Sequence, residues 1–244
     1  MKTFIFCTSY IGENSSANNH KRYERWVRYY SDKAALFGAD RLVLIDDGSS
    51  SINLKNVNIV ETNALPYTLE DGPTLFHFEK NLGRPTHNDY QGWWRSFTYS
   101  MNIALKYEYE KIIHIESDFF ILTTEMIQYI KDLTTGWTAF YSEFLRLPES
   151  ALQIICKDQF SAFQLRYEEV KRNNFRANRI AERYLPFTHV ERKFSGDRLG
   201  EFHVLDGWLE KIKIPFKLDY IGQIDPKFSV EDYKDLFDFQ FRWE

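Results

Sequence analysis

The stretch Lys111-Ile-Ile-His-Ile-Glu-Ser-Asp-Phe-Phe-Ile-Leu122 decides the reading of this chain. An apolar run interrupted only by His114 ends on two carboxylates, Glu116 and Asp118. In a strand, residues two apart lie on one face, so the spacing predicts that both side chains aim at one hard cation, Mg²⁺ or Mn²⁺. A second run, Arg41-Leu-Val-Leu-Ile-Asp-Asp-Gly-Ser-Ser50, ends the same way, releasing into Asp46, Asp47 and a Gly/Ser turn. Ligands of open α/β sheets sit outside the carboxyl ends of the strands. Both acidic turns are therefore expected to line one cleft.

Working outward, Thr3 to Thr8 reads as a first strand. Tyr23, Trp26, Tyr30, Ala34 and Phe37 recur at steps of three and four, which marks an amphipathic helix closed by Gly38. Leu42 to Ile45 and Val57 to Val60 read as further strands. Thr62 to Asp89, rich in Pro and Gly, reads as a long loop with short extended pieces. Asp89 to Glu108 is helical in pattern, with Trp93, Phe97, Met101 and Ala104 or Leu105 on one face. A helix capped by Thr123 or Thr124 runs through Leu133, and Trp137 to Phe144 reads as a strand. The alternation is α/β throughout. Past Pro148, Leu152 to Cys156 is apolar, Asp158 to Tyr184 has helical spacing, and Phe216 to Tyr220 reads as a late strand before an aromatic, acidic tail. The whole, 1–244, is expected to form one domain: a mixed sheet flanked by helices, with a helical, aromatic-rich C-terminal elaboration.

Bulk composition bounds the function. With 244 residues, 43% of them apolar, the chain can bury a full core. Its net charge of -4 argues against a nucleic-acid partner held by bulk electrostatics. Cys7 and Cys156 sit in apolar runs without metal-ligand spacing, as buried thiols of a reducing compartment do, so a cytoplasmic location is expected. The N-terminal apolar run is too short for a signal peptide, and no segment reaches the ~20 apolar residues of a membrane span.

The order of these motifs resembles the nucleotide-binding half of GT-A glycosyltransferases, particularly the large inverting family-two group. The resemblance rests on a strand ending Asp46-Asp-Gly-Ser-Ser50, then Asn81-Leu-Gly83, then Arg95 within the next helix, then Glu116-Ser-Asp118. It implies a nucleotide-sugar donor bound by residues 1–122, and a glycan or lipid-linked glycan acceptor bound by 123–244, in polysaccharide biosynthesis. Thr8, Ser9, Asp46 and Asp47 would contact base and ribose, since carboxylates accept from base N–H and ribose hydroxyls. Either Asp can instead make an Asx turn before Gly48. Arg95 would clamp the diphosphate, with Arg84 a rival on the preceding loop. Here Trp94 and Ser96 replace the family's Ala and Asn, and Glu116 replaces the commoner Asp. Asp118 would be the direct metal ligand, Glu116 would touch the ribose or a metal-bound water, and the late His203, or His189, would add a further ligand.

An inverting enzyme also requires a base for the acceptor hydroxyl. Asp197, which follows Gly196 and can cap a helix, is the first candidate, with Glu201 and Glu191 as alternatives. Arg172, Arg176, Arg179 and Arg183 step by four, three and four. On one helix they make a basic stripe suited to an anionic acceptor or to peripheral contact with membrane headgroups. Trp93, Trp94, Trp137, Trp208 and Tyr141 could stack on sugars or pack in the core. Two rivals remain. A sugar-phosphate nucleotidyltransferase would carry a basic, Gly-rich loop after the first strand, where Thr8 to Asn19 holds one Gly and no basic residue. A catalytically silent sugar-binding module would keep the aromatics without turnover.

Overall fold

The computed structural model describes residues 1–12, 17–86, 89–143, 145–198 and 218–225. Its centre is an eight-stranded sheet whose strands are the apolar runs of the sequence. In chain order they are β1 (Thr3–Ser9), β2 (Arg41–Asp46), β3 (Asn58–Glu61), β4 (Thr74–His77), β5 (Lys111–Ile115), β7 (Trp137–Ser142), β8 (Leu147–Cys156) and β9 (His189–Glu191). Their spatial order is β3-β4-β2-β1-β5-β8-β7-β9. The first five of these are mutually parallel; β8 runs antiparallel between β5 and β7, and β9 lies parallel to β7. A smaller sheet joins β6 (Phe120–Ile121) to β11 (Tyr220–Ile221), and β11 to β10 (Gly196–Asp197).

Strand alternation sends neighbouring side chains to opposite faces, and both faces are covered. Ile5, Cys7, Leu44 and Ile113 pack with Trp26 and Tyr30 of helix α1 (Ala17–Ser31) and with Met126 and Ile130 of α3 (Thr124–Asp132). Phe4, Phe6, Val43 and Ile112 pack with Phe97 and Met101 of α2 (Gln91–Lys106) and Phe163 of α4 (Phe160–Arg172). His114 belongs to the second face, stacked on Phe6 at 4.6 Å. Lys111 is buried at the start of β5, where its ammonium donates to the carbonyls of Ile130, Lys131 and Leu133 at the end of α3. The charge thereby complements that helix's negative end.

The loop from Thr62 to Asp89 carries its expected short extended piece as β4, which lies between β2 and β3 in the main sheet. Several expectations need correction. The first helix ends at Ser31, and a separate 3₁₀ turn, Ala34–Phe37, is the element that Gly38 closes at φ 65°. The helical run past Asp158 is also interrupted: α4 stops at Arg172, Asn174 and Phe175 adopt left-handed φ of 51° and 58°, and only Ala181–Tyr184 (α5) is helical again. The four arginines therefore do not share one helix, and Arg176 instead pairs with Asp89 at 3.0 Å. Asp197 lies in a strand, β10, and the residues that a cap there would serve lie outside the described ones. Cys7 and Cys156 are free and buried, as expected. No helix among the described residues is long and apolar enough to cross a membrane.

Candidate active site

The parallel register sets the site. Phe6 of β1 pairs with His114 of β5, and continuing two residues places Thr8 beside Glu116 at the carboxyl ends of neighbouring strands. Thr8 Oγ1 bridges Glu116 Oε1 and Oε2 at 2.9 and 3.0 Å. Trp93 Nε1 donates to Oε1 at 2.6 Å, and His114 Nε2 lies 3.1 Å from the same oxygen. Burial pushes the Glu116 carboxyl up, but the bonds from His114, Trp93 and Thr8 together hold it below the ordinary glutamate value. Glu116 is thus kept as an anion with most acceptor directions occupied.

β5 ends at Ile115, and a turn closed by Phe119 N–H to Glu116 C=O (2.9 Å) follows. Because the strand does not continue, the two carboxylates take different partners. Glu116 joins the cluster on the α2 side, while Asp118 Oδ2 pairs with Arg22 Nη2 of α1 at 3.0 Å. Arg22 Nε also donates to Ser117 Oγ at 2.6 Å. Burial pushes the Asp118 carboxyl up and Arg22 pulls against it, with Glu116 adding to the rise. For Arg22, burial opposes the charge, and Asp118 outweighs it, holding the guanidinium above its ordinary range. Arg25, one turn on, donates to the carbonyls of Ile224 and Asp225, and Ile224 N–H donates to Asp118 C=O, so α1 and segment 218–225 enclose the tip together.

The second acidic turn is built for internal support. Asp46 is fully buried and accepts from Ser49 N–H and Ser49 Oγ, each at 2.7 Å, while His77 Nδ1 lies at 3.0 Å. Its carboxylate spans Asp47 and Gly48 to reach Ser49, one residue further than an Asx turn. Gly48 has φ 75°, and a Cβ there would fall 2.4 Å from the Lys80 backbone. Asp47 Oδ2 accepts from Gly83 N–H (2.8 Å), Asn81 Nδ2 (3.0 Å) and Leu82 N–H (3.2 Å), and Oδ1 accepts from Arg95. Arg95 is buried, also donates to Lys80 C=O at 2.6 Å and stacks over Phe78 at 4.0 Å. Burial raises the Asp47 carboxyl and lowers the Arg95 guanidinium. The Asn81-Leu-Gly83 loop, Asp47 and Arg95 thus form one interlocked unit, in which Arg95 braces the turn. Arg84 is exposed and lies over the Tyr90 ring at 4.2 Å, with Nη2 donating to the Tyr90 hydroxyl. Ser9 is buried, and its Oγ lies 3.5 Å from Asp46 Oδ1.

On the other flank, Asp197 Oδ1 accepts from Ser142 Oγ and from Arg198 N–H, each at 2.8 Å. Asp197 pairs with Ile221, and Ile221 with Phe120, two residues past Asp118. Two strand spacings put Asp197 about 10 Å from position 120. Arg198 chelates buried Glu149 at 2.6 and 2.8 Å. Glu191 lies on the outermost strand, its Oε1 held by Arg192 N–H and Lys193 N–H at 2.8 Å. His189 is exposed and lies 3.5 Å from Glu191. Glu201, His203 and Trp208 lie outside the described residues. Trp94 and Trp137 are core, Trp93 serves Glu116, and Tyr141 carries Arg192 over its ring at 3.5 Å.

The expected divalent cation can be tested against these donors. No three His, Cys, Asp or Glu side chains converge among the described residues. Glu116 is committed to Thr8, Trp93 and His114, which leaves Asp118 as the carboxylate able to lend an oxygen. That suffices for Mg²⁺-type binding, in which one or two carboxylates act with substrate phosphates and water. Asp118 already binds a cationic group in Arg22. Arg22 and the Glu149–Arg198 pair were not singled out from the sequence, and Trp93 reads there as a sugar platform or core residue rather than as a donor to Glu116. An arginine on an amphipathic helix reads as a solvated face, and a tryptophan reads as core.

No family model matches the chain, and no curated protein does. Solved structures do. The apo-form glycosyltransferase GlyE of Streptococcus pneumoniae TIGR4 aligns with TM-score 0.51 and 11% identity, over 100% of this chain and 60% of its own. The fold is GT-A-like. A glycosyltransferase involved in the glycosylation of the major capsid of PBCV-1 aligns at 8% identity and TM-score 0.47, over 98% of this chain and 100% of that one. A putative nucleotide-diphospho-sugar transferase from Desulfovibrio desulfuricans G20 aligns at 13% identity and TM-score 0.44, over 99% of each.

Proposed function

We propose that the chain transfers a sugar from a nucleotide-sugar donor to a hydroxyl of a glycan or lipid-linked glycan, with inversion. The observation that carries the reading is the acidic tip Glu116–Asp118 at the carboxyl end of β5, beside Thr8 of β1, in a GT-A-like sheet. The ends of neighbouring strands in an open α/β sheet are where such folds hold ligands.

In this reading Thr8, Ser9 and Glu116 face the nucleoside side of the donor. Asp46, Asp47 and Arg95 hold the turns that shape its pocket, and Asp118 and Arg22 meet the diphosphate. A Mg²⁺ or Mn²⁺ ion held by Asp118 would neutralise charge on the departing nucleoside diphosphate. Asp197, held by Ser142 and Arg198 N–H, takes the acceptor's proton. The acceptor oxygen then bonds to the anomeric carbon as the bond to the diphosphate breaks.

The test incubates the protein with UDP-, GDP-, CDP- and dTDP-sugars and follows the released nucleotide. The reading expects a nucleoside diphosphate from one donor, with release reduced about 100-fold or more in Asp197→Asn, the scale of general-base catalysis. Pyrophosphate release would instead identify a nucleotidyltransferase. Sugar binding without any nucleotide release would identify a silent binding module.

A further inference from the structure

We infer that Arg22 is a built-in counter-ion for Asp118, holding the place of the divalent cation and passing to the donor's diphosphate when that ion arrives. The inference rests on the nucleotide-sugar reading above.

Arg22 lies on α1, which is anchored by fully buried Trp26 and Tyr30. Its guanidinium donates through Nε to Ser117, a fully buried residue, and Nη2 meets Asp118 Oδ2 at 3.0 Å. The Arg22 side chain keeps 32% exposure and that of Asp118 only 9%, so the arginine is the more accessible member of the pair. A cation that binds Asp118 Oδ2 competes with Arg22 for that oxygen.

Charge dictates the order of events. Glu116 and Asp118 carry two negative charges and Arg22 one positive, so the three groups together repel a diphosphate. A divalent ion at Asp118 reverses that sign. It also repels the guanidinium, because both seek the same carboxylate and like charges at contact distance are strongly unfavourable. Asp118, buried beside Glu116, requires a positive neighbour in either state. Arg22 fills that need before the donor binds, and the ion fills it afterwards. The displaced guanidinium then offers a planar fork of N–H donors that no ordinary pH discharges, matched to phosphate oxygens.

The test uses the whole chain as wild type, Arg22→Gln and Arg22→Lys, with melting curves to establish folding. Mn²⁺ alone is titrated by electron paramagnetic resonance of the free ion. UDP, GDP, CDP, ADP and dTDP are titrated calorimetrically at saturating Mn²⁺. Arg22→Gln is expected to bind Mn²⁺ alone roughly tenfold more tightly than wild type and the preferred nucleotide roughly tenfold more weakly, a scale typical of coupled sites. Arg22→Lys keeps the charge and stays near wild type for Mn²⁺, yet binds the nucleotide less well because a point charge replaces a fork. If Arg22→Gln does not fold, a wild-type-like Mn²⁺ affinity with weaker nucleotide binding in Arg22→Lys supports the inference, and full nucleotide affinity there overturns it. Unchanged Mn²⁺ affinity in folded Arg22→Gln, or changes of the same sign in both titrations, overturns the inference. Failure of wild type to bind any of the nucleotides refutes the donor reading and the diphosphate step with it, while the Mn²⁺ titration alone still decides the competition.

Discussion

Glu116→Gln tests how the acidic tip is held. The substitution keeps shape and removes charge at a group that receives Thr8, Trp93 and His114 within 2.6–3.1 Å. An amide retains one oxygen for these donors but turns its nitrogen into a further donor. Charge-assistance is lost throughout, and at least one contact goes with it. Hydrogen bonds to charged groups contribute about 1.5–3 kcal/mol each, so the expected loss is about 2–4 kcal/mol. For a chain of this length that lowers Tm by roughly 4–16 °C. The effect carries a pH signature. The folded carboxyl sits below its ordinary value of 4.5. Its charge therefore stabilises the fold fully above that pH, and the contribution fades as pH falls through the folded value. Melting curves of both proteins from pH 7 down to about 3 should show the gap between them widest near neutrality and closing on the acid side. An equal Tm at pH 7, or a gap that stays constant on acidification, would refute the reasoning.

Gly92→Ala reverses the usual helix rule. Alanine should gain up to about 1 kcal/mol in a helix. A Cβ there would instead fall 2.0 Å from Asp47 Oδ2, whose carboxylate is pinned by Arg95, Asn81 and two backbone N–H groups. Denaturant unfolding should show a net loss of about 2–4 kcal/mol, and a stabilised variant would contradict the pinned-turn geometry. Lys111→Met leaves three carbonyls at the end of α3 without their ammonium partner. It should cost about 2–4 kcal/mol and speed hydrogen exchange in the last turn of α3 more than in α2, whereas uniform exchange would count against it.

The framework was legible where one signal governs local structure. Apolar runs marked β1, β2 and β5, the last broken only by His114, and the steps Phe97, Met101 and Ala104 gave the buried face of α2. The acidic tip stood out because charge follows directly on an apolar run. What escaped depends on partners distant in the chain. Thr74–His77, one of the short extended pieces expected in its loop, is four residues long, too short to show that it joins the main sheet between β2 and β3. Nothing local announces that β8 inserts antiparallel beside β5. The shared face expected of Glu116 and Asp118 required the strand to extend past Ile115, and the turn at 116–119 divided them. Asp46, Asp47 and Arg95 attracted attention as polar residues at strand ends and in a helix. Their burial against Ser49, His77 and one another emerges only when the loops close.

The central claim is that a nucleoside diphosphate binds at the carboxyl ends of β1 and β5. Crystals soaked with Mn²⁺ and the nucleotide identified by turnover test it most directly. The diphosphate is predicted between Asp118 and Arg22, with the nucleoside against Thr8 and Glu116. A nucleotide found instead in the hollow along edge strand β3, among Ile59, Pro66 and Glu70, would contradict it.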